Sequence, residues 1–217
     1  MSNKTSSQRT YTPIANYLTI FRMVIIIPVL LLALINTYLV YKTDYPPFDK
    51  SIFILIHTLI LLFFVAGMVT DYFDGHLARK RNEVSSFGKI FDPIADKLIT
   101  NITLLYLVAI NFLPIWAFGL LLFRDVLVGG LRTYLASQKV DVSADIFGKL
   151  KTLVLSIGII ITLILMFLPA YISNLNTEWF KLYVSPVVIY VGIGLGLISG
   201  FIYFWKARKY LSPKITK

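Results

Sequence analysis

Long apolar runs dominate this chain and constrain its fold more than any other feature. A helix needs about 20 consecutive apolar residues to cross the hydrocarbon core of a bilayer. Residues 18–40 hold a single formal charge, Arg22, and residues 51–70 hold none. Residues 98–123 are also free of formal charge, a length that suits parts of two helices. Within that run Pro114 breaks the helical ladder and Asn111 suits a turn, so a third helix starting near Ile94 gives way to a fourth over about 114–134. A fifth span is expected from 152 to about 168 and a sixth over 182–205. The mean hydropathy of +0.76, with 57% hydrophobic residues in 217, excludes a soluble domain. The expected fold is an all-α integral membrane protein with six transmembrane helices, a single domain over 1–217 without an internal repeat.

The ends and loops add orientation. Thr12 followed by Pro13 has the form of a helix start, with Thr12 as cap and Pro13 in the first helical position. A short amino-terminal interfacial helix is therefore expected around 14–21. The first twelve residues are polar, and no cleaved targeting segment is expected. With the amino terminus inside, 18 of the 21 Lys and Arg residues fall at cytoplasmic ends or loops, against Lys42, Lys50 and Lys181 outside. That asymmetry predicts cytoplasmic termini. It also accounts for the net charge of +10 through orientation and anionic lipid, with no nucleic-acid partner. Trp116, Trp179, Trp205 and Tyr210 lie near predicted helix ends, as an aromatic belt requires. The chain has no cysteine, which excludes thiol chemistry.

Against this background one stretch stands out, from Asp71 to Asp96. On a helix, Asp71, Asp74 and Ala78 share a face, with Gly75 beside them and Arg79 at the edge. Gly88, Asp92 and Asp96 are spaced by four and form a second row. Joined by a short polar loop over 80–87, two helix ends can turn these rows toward each other and converge four carboxylates on one cavity. Four carboxylates cannot all stay ionised in a low-dielectric cavity without counter-charge. Oxygen donors without Cys or His favour two divalent cations of the Mg²⁺ or Mn²⁺ kind, an arrangement that serves displacement at phosphorus. Gly75 and Gly88 let a phosphate or base approach the backbone, and Arg79 can pair with a phosphate oxygen. Structural ion pairs or an ion path would account for one or two such acids, and a divalent-cation transporter is the rival from another class. That rival gives Gly75, Arg79 and Gly88 no role.

The eight positions Asp71, Asp74, Gly75, Ala78, Arg79, Gly88, Asp92 and Asp96, at this spacing, resemble the signature of the CDP-alcohol phosphotransferases. The resemblance implies a multi-pass enzyme in which an alcohol displaces CMP from a CDP-linked lipid at a bimetal site. It implies that Asp71, Asp74 and Asp92 hold the metals and that Asp96 serves as metal ligand, as general base on the attacking hydroxyl, or both. Gly75, Ala78, Arg79 and Gly88 would cradle the cytidine diphosphate, with Asn16 and Thr19 assigned to the nucleotide as well.

The segment containing Asn16, Thr19, Arg22 and Pro28 resembles bacterial members of that family that use glycerol 3-phosphate, as do Arg124, Asp125, Arg132 and 148–152. In those members Pro usually stands where this chain has Ala15, and Glu is commoner at Asp125. Physically, Arg124 and Arg132 are eight apart on one face at the cytoplasmic end of the fourth helix. With Lys149 they suit a phosphomonoester dianion, and Lys151 is the weaker candidate. The expected partners are CDP-diacylglycerol, glycerol 3-phosphate and membrane lipid, with a homodimer as the assembly and a bacterial plasma membrane as the place. Another alcohol acceptor, of the cardiolipin or inositol phosphate type, is the alternative within the family. His57 is expected to be a hydrogen-bonded packing residue, and Gly192, Gly196 and Gly200 a smooth face for close packing within the subunit or across a dimer.

Overall fold

The computed structural model describes residues 14–43, 50–81, 86–138, 140, 146–168 and 177–211; the side chains of 14–16, 18, 43, 50, 72–81, 86–90, 92, 177 and 211 lie outside the description. The described residues form six long helices: α1 (Ile14–Thr43), α2 (Lys50–Arg81), α3 (Ser86–Ala109), α4 (Ile115–Ser137), α5 (Ile146–Leu165) and α6 (Val187–Leu211). A short helical piece, Thr177–Trp179, and a π-helical turn, Phe180–Val184, lead into α6. Thr12 and Pro13 lie outside the described residues.

Among the described residues, four segments are long and apolar enough to cross a bilayer by length and composition: Thr19–Lys42, Ser51–Asp71, Ile146–Leu165 and Phe180–Tyr210. Neither α3 nor α4 is among them, for one physical reason. The first half of α3 carries Lys89, Asp92, Asp96 and Lys97, and α4 carries Arg124, Asp125 and Arg132. Exposed apolar side chains such as Ile27, Leu31 and Leu34 on α1, or Leu55 and Leu62 on α2, cover the outside.

Several boundaries differ from expectation. Residues 14–21 are not a separate interfacial helix; they are the first turns of an unbroken 30-residue α1, with Thr19 and Arg22 fully buried. The α2 helix continues through the acidic stretch to Arg81 and α3 begins at Ser86, so both helices reach into the expected loop over 80–87. Likewise α5 starts at Ile146, which places Lys149 and Lys151 inside its first two turns. The turn between α3 and α4 falls where Asn111 and Pro114 put it. Asn111 takes a φ of 61°, Phe112 N–H donates to the Leu107 carbonyl at 2.8 Å, and Pro114 caps α4.

Packing pairs α1 with α2 and α3, and α6 with α4 and α5; α2 meets α5 between these groups. The close approach of α5 and α6 depends on glycine. A Cβ at Gly158 would stand 2.9 Å from the Ile189 backbone nitrogen, and one at Gly192 would stand 3.3 Å from the Leu155 Cα. The face formed by Gly192, Gly196 and Gly200 is therefore filled within the subunit. A Gly158→Val variant is expected to lose about 1–3 kcal/mol by overpacking against backbone that cannot yield. A lower unfolding temperature in detergent, with the helical signal of the folded state unchanged, checks it.

A buried polar chain ties the apolar interior. Asn36 donates to the Tyr106 hydroxyl at 2.8 Å, and that hydroxyl lies 3.1 Å from His57 Nδ1. His57 Nε2 lies 2.7 Å from the Leu163 carbonyl, which can only accept, so Nε2 carries the proton and Nδ1 accepts from Tyr106. One histidine thus links α1, α3 and α5 to its own α2, and its role is packing, as its solitary position suggested.

Candidate functional site

Charged residues of α3 and α4, Asp96 and Lys97 on one and Arg124, Asp125 and Arg132 on the other, line a cavity of about 690 Å³. Among the described residues, five helices supply its wall. Asp71 comes from α2, Asp96 and Lys97 from α3, Arg124 and Arg132 from α4, Lys149 and Lys151 from α5, and Ser199 from α6. Two groups of residues that the sequence presents separately, the acids Asp71 and Asp96 and the bases beyond 124, therefore line one space.

On the acidic side, Asp71 stands at the end of an apolar span and is 42% exposed, while its partner Arg22 is fully buried. Arg22 Nη1 lies 2.8 Å from Asp71 Oδ1. A charge in the middle of an apolar run is thereby explained: α1 supplies a buried counter-ion to the first acid of the signature. Asp96, partly buried, lines the same cavity on α3 next to Lys97. Asp74, Gly75, Ala78 and Arg79 lie on α2, Gly88 and Asp92 on α3, and Asn16 on α1; their side chains lie outside the described residues. Thr19 is buried three residues before Arg22 and does not line this cavity.

Divalent cations fit the two acids that are described. Both are carboxylates on one cavity wall, and an ionised carboxylate has about four acceptor sites, so Asp71 can hold Arg22 and still offer Oδ2. The nearest described neighbours of Asp96 and Asp71 include no Cys or His, which keeps the donor set to hard oxygen.

On the basic side, the three predicted residues differ in setting. Lys149 and Arg132 are exposed, with the Arg132 guanidinium 5.9 Å from the centre of the Tyr203 ring. Arg124 is largely buried, at 13% exposure, and tightly held. Its Nε donates to the Gly196 carbonyl at 2.9 Å, Nη2 to Ser199 Oγ at 3.0 Å and Nη1 to Asp125 Oδ1 at 2.9 Å. Lys151, ranked below the others from sequence, is buried and ion-paired with Asp125. Lys97, Asn101 and Ser199 also line the cavity and were not singled out. Lys97 had a signal, its place beside Asp96; Ser199, on an apolar helix far along the chain, had none.

A model of the family described as CDP-alcohol phosphatidyltransferase matches residues 12–198. A CDP-diacylglycerol–glycerol-3-phosphate 3-phosphatidyltransferase of Rickettsia felis is 37% identical over 196 residues, covering 90% of this chain and 95% of the relative. The protein of the same description from Mycoplasma genitalium is 32% identical over 192 residues, covering 88% of this chain and 81% of the relative. That of Bacillus subtilis is 33% identical over 164 residues, covering 74% and 80%. With a cavity that joins Asp71 and Asp96 to a cluster of bases, and with these matches along most of its length, the chain belongs to the CDP-alcohol phosphatidyltransferase family.

Proposed function

We propose that this chain transfers the phosphatidyl group of CDP-diacylglycerol to glycerol 3-phosphate, giving phosphatidylglycerophosphate and CMP. The observation that carries the proposal is the single cavity shared by Asp71 and Asp96 with Arg124, Arg132 and Lys149. An acceptor that brings its own phosphate needs bases beside the acids, and inositol or serine does not. The relatives' descriptions name the same two substrates.

In this proposal Arg132, Lys149 and Arg124 hold the acceptor phosphate and so direct the 1-hydroxyl of glycerol 3-phosphate toward the acids. Asp96 takes the hydroxyl proton as the oxygen attacks the diacylglycerol-side phosphorus. The bond to the bridging oxygen breaks, and CMP leaves with that oxygen. Gly75, Ala78, Arg79 and Gly88, with Asn16, are proposed to seat the cytidine diphosphate; Thr19, buried and off the cavity, is not part of that seat. Divalent cations held by Asp71, Asp74, Asp92 and Asp96 would supply neutralising charge to the diphosphate and make a weakly basic carboxylate sufficient.

The membrane arrangement proposed is six spans, with α3 and α4 crossing as the polar-ended pair and the cavity opening to the cytoplasm. The excess of Lys and Arg on that side supports it. The bacterial relatives support a bacterial plasma membrane. A homodimer is the proposed assembly, and its seam is not the glycine face of α6, which neighbouring helices fill.

Membranes containing the protein, supplied with CDP-diacylglycerol and one alcohol at a time, are expected to release CMP with glycerol 3-phosphate and not with inositol, inositol phosphate, serine or phosphatidylglycerol. CMP release that does not depend on glycerol 3-phosphate would end the acceptor assignment.

A further inference from the structure

On the basic wall of the cavity, Arg124, Asp125 and Lys151 form one unit. Asp125 Oδ1 accepts from Arg124 Nη1 at 2.9 Å and from Lys151 Nζ at 2.5 Å. The Lys151 side chain is 3% exposed and lines the cavity, and Asp125 is the acceptor it uses among the described residues. An ammonium has three donors, so a buried lysine with one partner holds donors in reserve. Arg124 commits three of its five N–H groups to Asp125, Gly196 and Ser199. Two remain.

The third helix of the unit makes the room. A Cβ at Gly196 would come 3.3 Å from Lys151 Cγ, and one at Gly200 would come 3.0 Å from Arg124 Cγ. The two long side chains lie across α6 where it has no side chains of its own. Two buried cations side by side repel, and removing them from water is costly unless a carboxylate is shared between them. Asp125 supplies that carboxylate and leaves the pair with net positive charge facing a cavity where Arg132 and Lys149 add more.

We propose that Asp125 is a positioning residue which holds Arg124 and Lys151 together as a fixed seat for the acceptor's phosphomonoester, with Lys151 as a further residue binding that phosphate. The proposal rests on the acceptor reading above. In it, Asp125 sets how tightly the acceptor is held and not how fast phosphorus is attacked, because its carboxylate touches the bases and not the reacting atoms. The same chemistry could serve the diphosphate of the nucleotide-linked lipid, and the two sources separate by which substrate's KM moves.

The test uses the full chain in proteoliposomes. Asp125→Asn is expected to raise the KM for glycerol 3-phosphate about tenfold or more, the worth of one charge-assisted hydrogen bond. The KM for CDP-diacylglycerol and kcat are expected to change by less than about twofold, as for loss of ground-state binding alone. Asp125→Glu should recover most of the loss, since the acid survives. Because Asp125→Asn leaves two buried cations uncompensated, the double variant Asp125→Asn with Lys151→Met replaces the ion pair by a neutral pair, and its KM for glycerol 3-phosphate should be raised at least as much. A second readout needs no turnover: without CDP-lipid, millimolar glycerol 3-phosphate or inorganic phosphate should raise the unfolding temperature of the parent protein and not that of either variant. The proposal is overturned by a KM rise for CDP-diacylglycerol in place of glycerol 3-phosphate, or by Asp125→Glu behaving no better than Asp125→Asn while phosphate still stabilises both. A parent protein whose CMP release ignores glycerol 3-phosphate would instead refute the acceptor reading itself, before any variant is made.

Discussion

An Asp96→Asn variant is expected to release CMP roughly 10²- to 10⁴-fold more slowly than the parent, the range a positioned proton acceptor contributes. Asn has nearly the same shape as Asp, so packing on α3 is preserved while the carboxylate is lost. Asp96 lines the cavity one helix away from Asp71 and opposite the bases of α4 and α5, which is where an acceptor hydroxyl would have to arrive. Binding of CDP-diacylglycerol, followed by the shift in unfolding temperature it induces, is expected to be largely retained. Loss of that shift together with turnover would move Asp96 from proton acceptor to metal holder alone.

Removal of divalent cations by a chelator is expected to abolish CMP release, with Mg²⁺ or Mn²⁺ restoring it. The reason lies in the donor set. Asp71 and Asp96 share a cavity with one another, and Asp74 and Asp92 belong to the same two helices. Carboxylate oxygens without thiolate or imidazole select hard cations, so Zn²⁺ is expected to restore little. A measurement apart from activity is the effect of Mg²⁺ on unfolding temperature, which should be positive for the parent and reduced in Asp71→Asn. Full activity in chelator would overturn the metal-assisted mechanism. It would also reduce Asp96 to proton acceptor alone and Asp71 to the ion-pair partner of Arg22.

Much of the fold was legible because hydrocarbon allows few alternatives: backbone polar groups must be satisfied within the helix, and about 20 apolar residues are needed to cross. The turn at Asn111 and Pro114 was readable for the same local reason, a left-handed residue and a missing donor. Helix ends were less readable where charge and helix overlap. α2 runs on to Arg81 and α5 begins at Ile146 because charged residues that leave the apolar layer can remain helical, and hydropathy marks only the layer. The same confusion made residues 14–21 look like a separate element, when they are the start of α1.

For the site, spacing alone picked out Asp71 to Asp96, since rows of three and four residues share a helix face whatever the tertiary fold. It also put Arg124 and Arg132, eight apart, on one helix face, to which Lys149 was added from the start of the fifth helix. What only the tertiary structure decided is which of these meet. Arg22 reaches Asp71 across 49 positions of chain, and Lys151 reaches Asp125 across 26, because α1 packs on α2 and because glycines on α6 let side chains of α4 and α5 lie against it. Periodicity orders residues along one helix and carries no information on the facing helix. Side-chain volume at a crossing supplies that information, and it is the absence of side chains at Gly196 and Gly200 that turned Lys151 from the weakest of the predicted bases into part of a buried unit with Arg124 and Asp125.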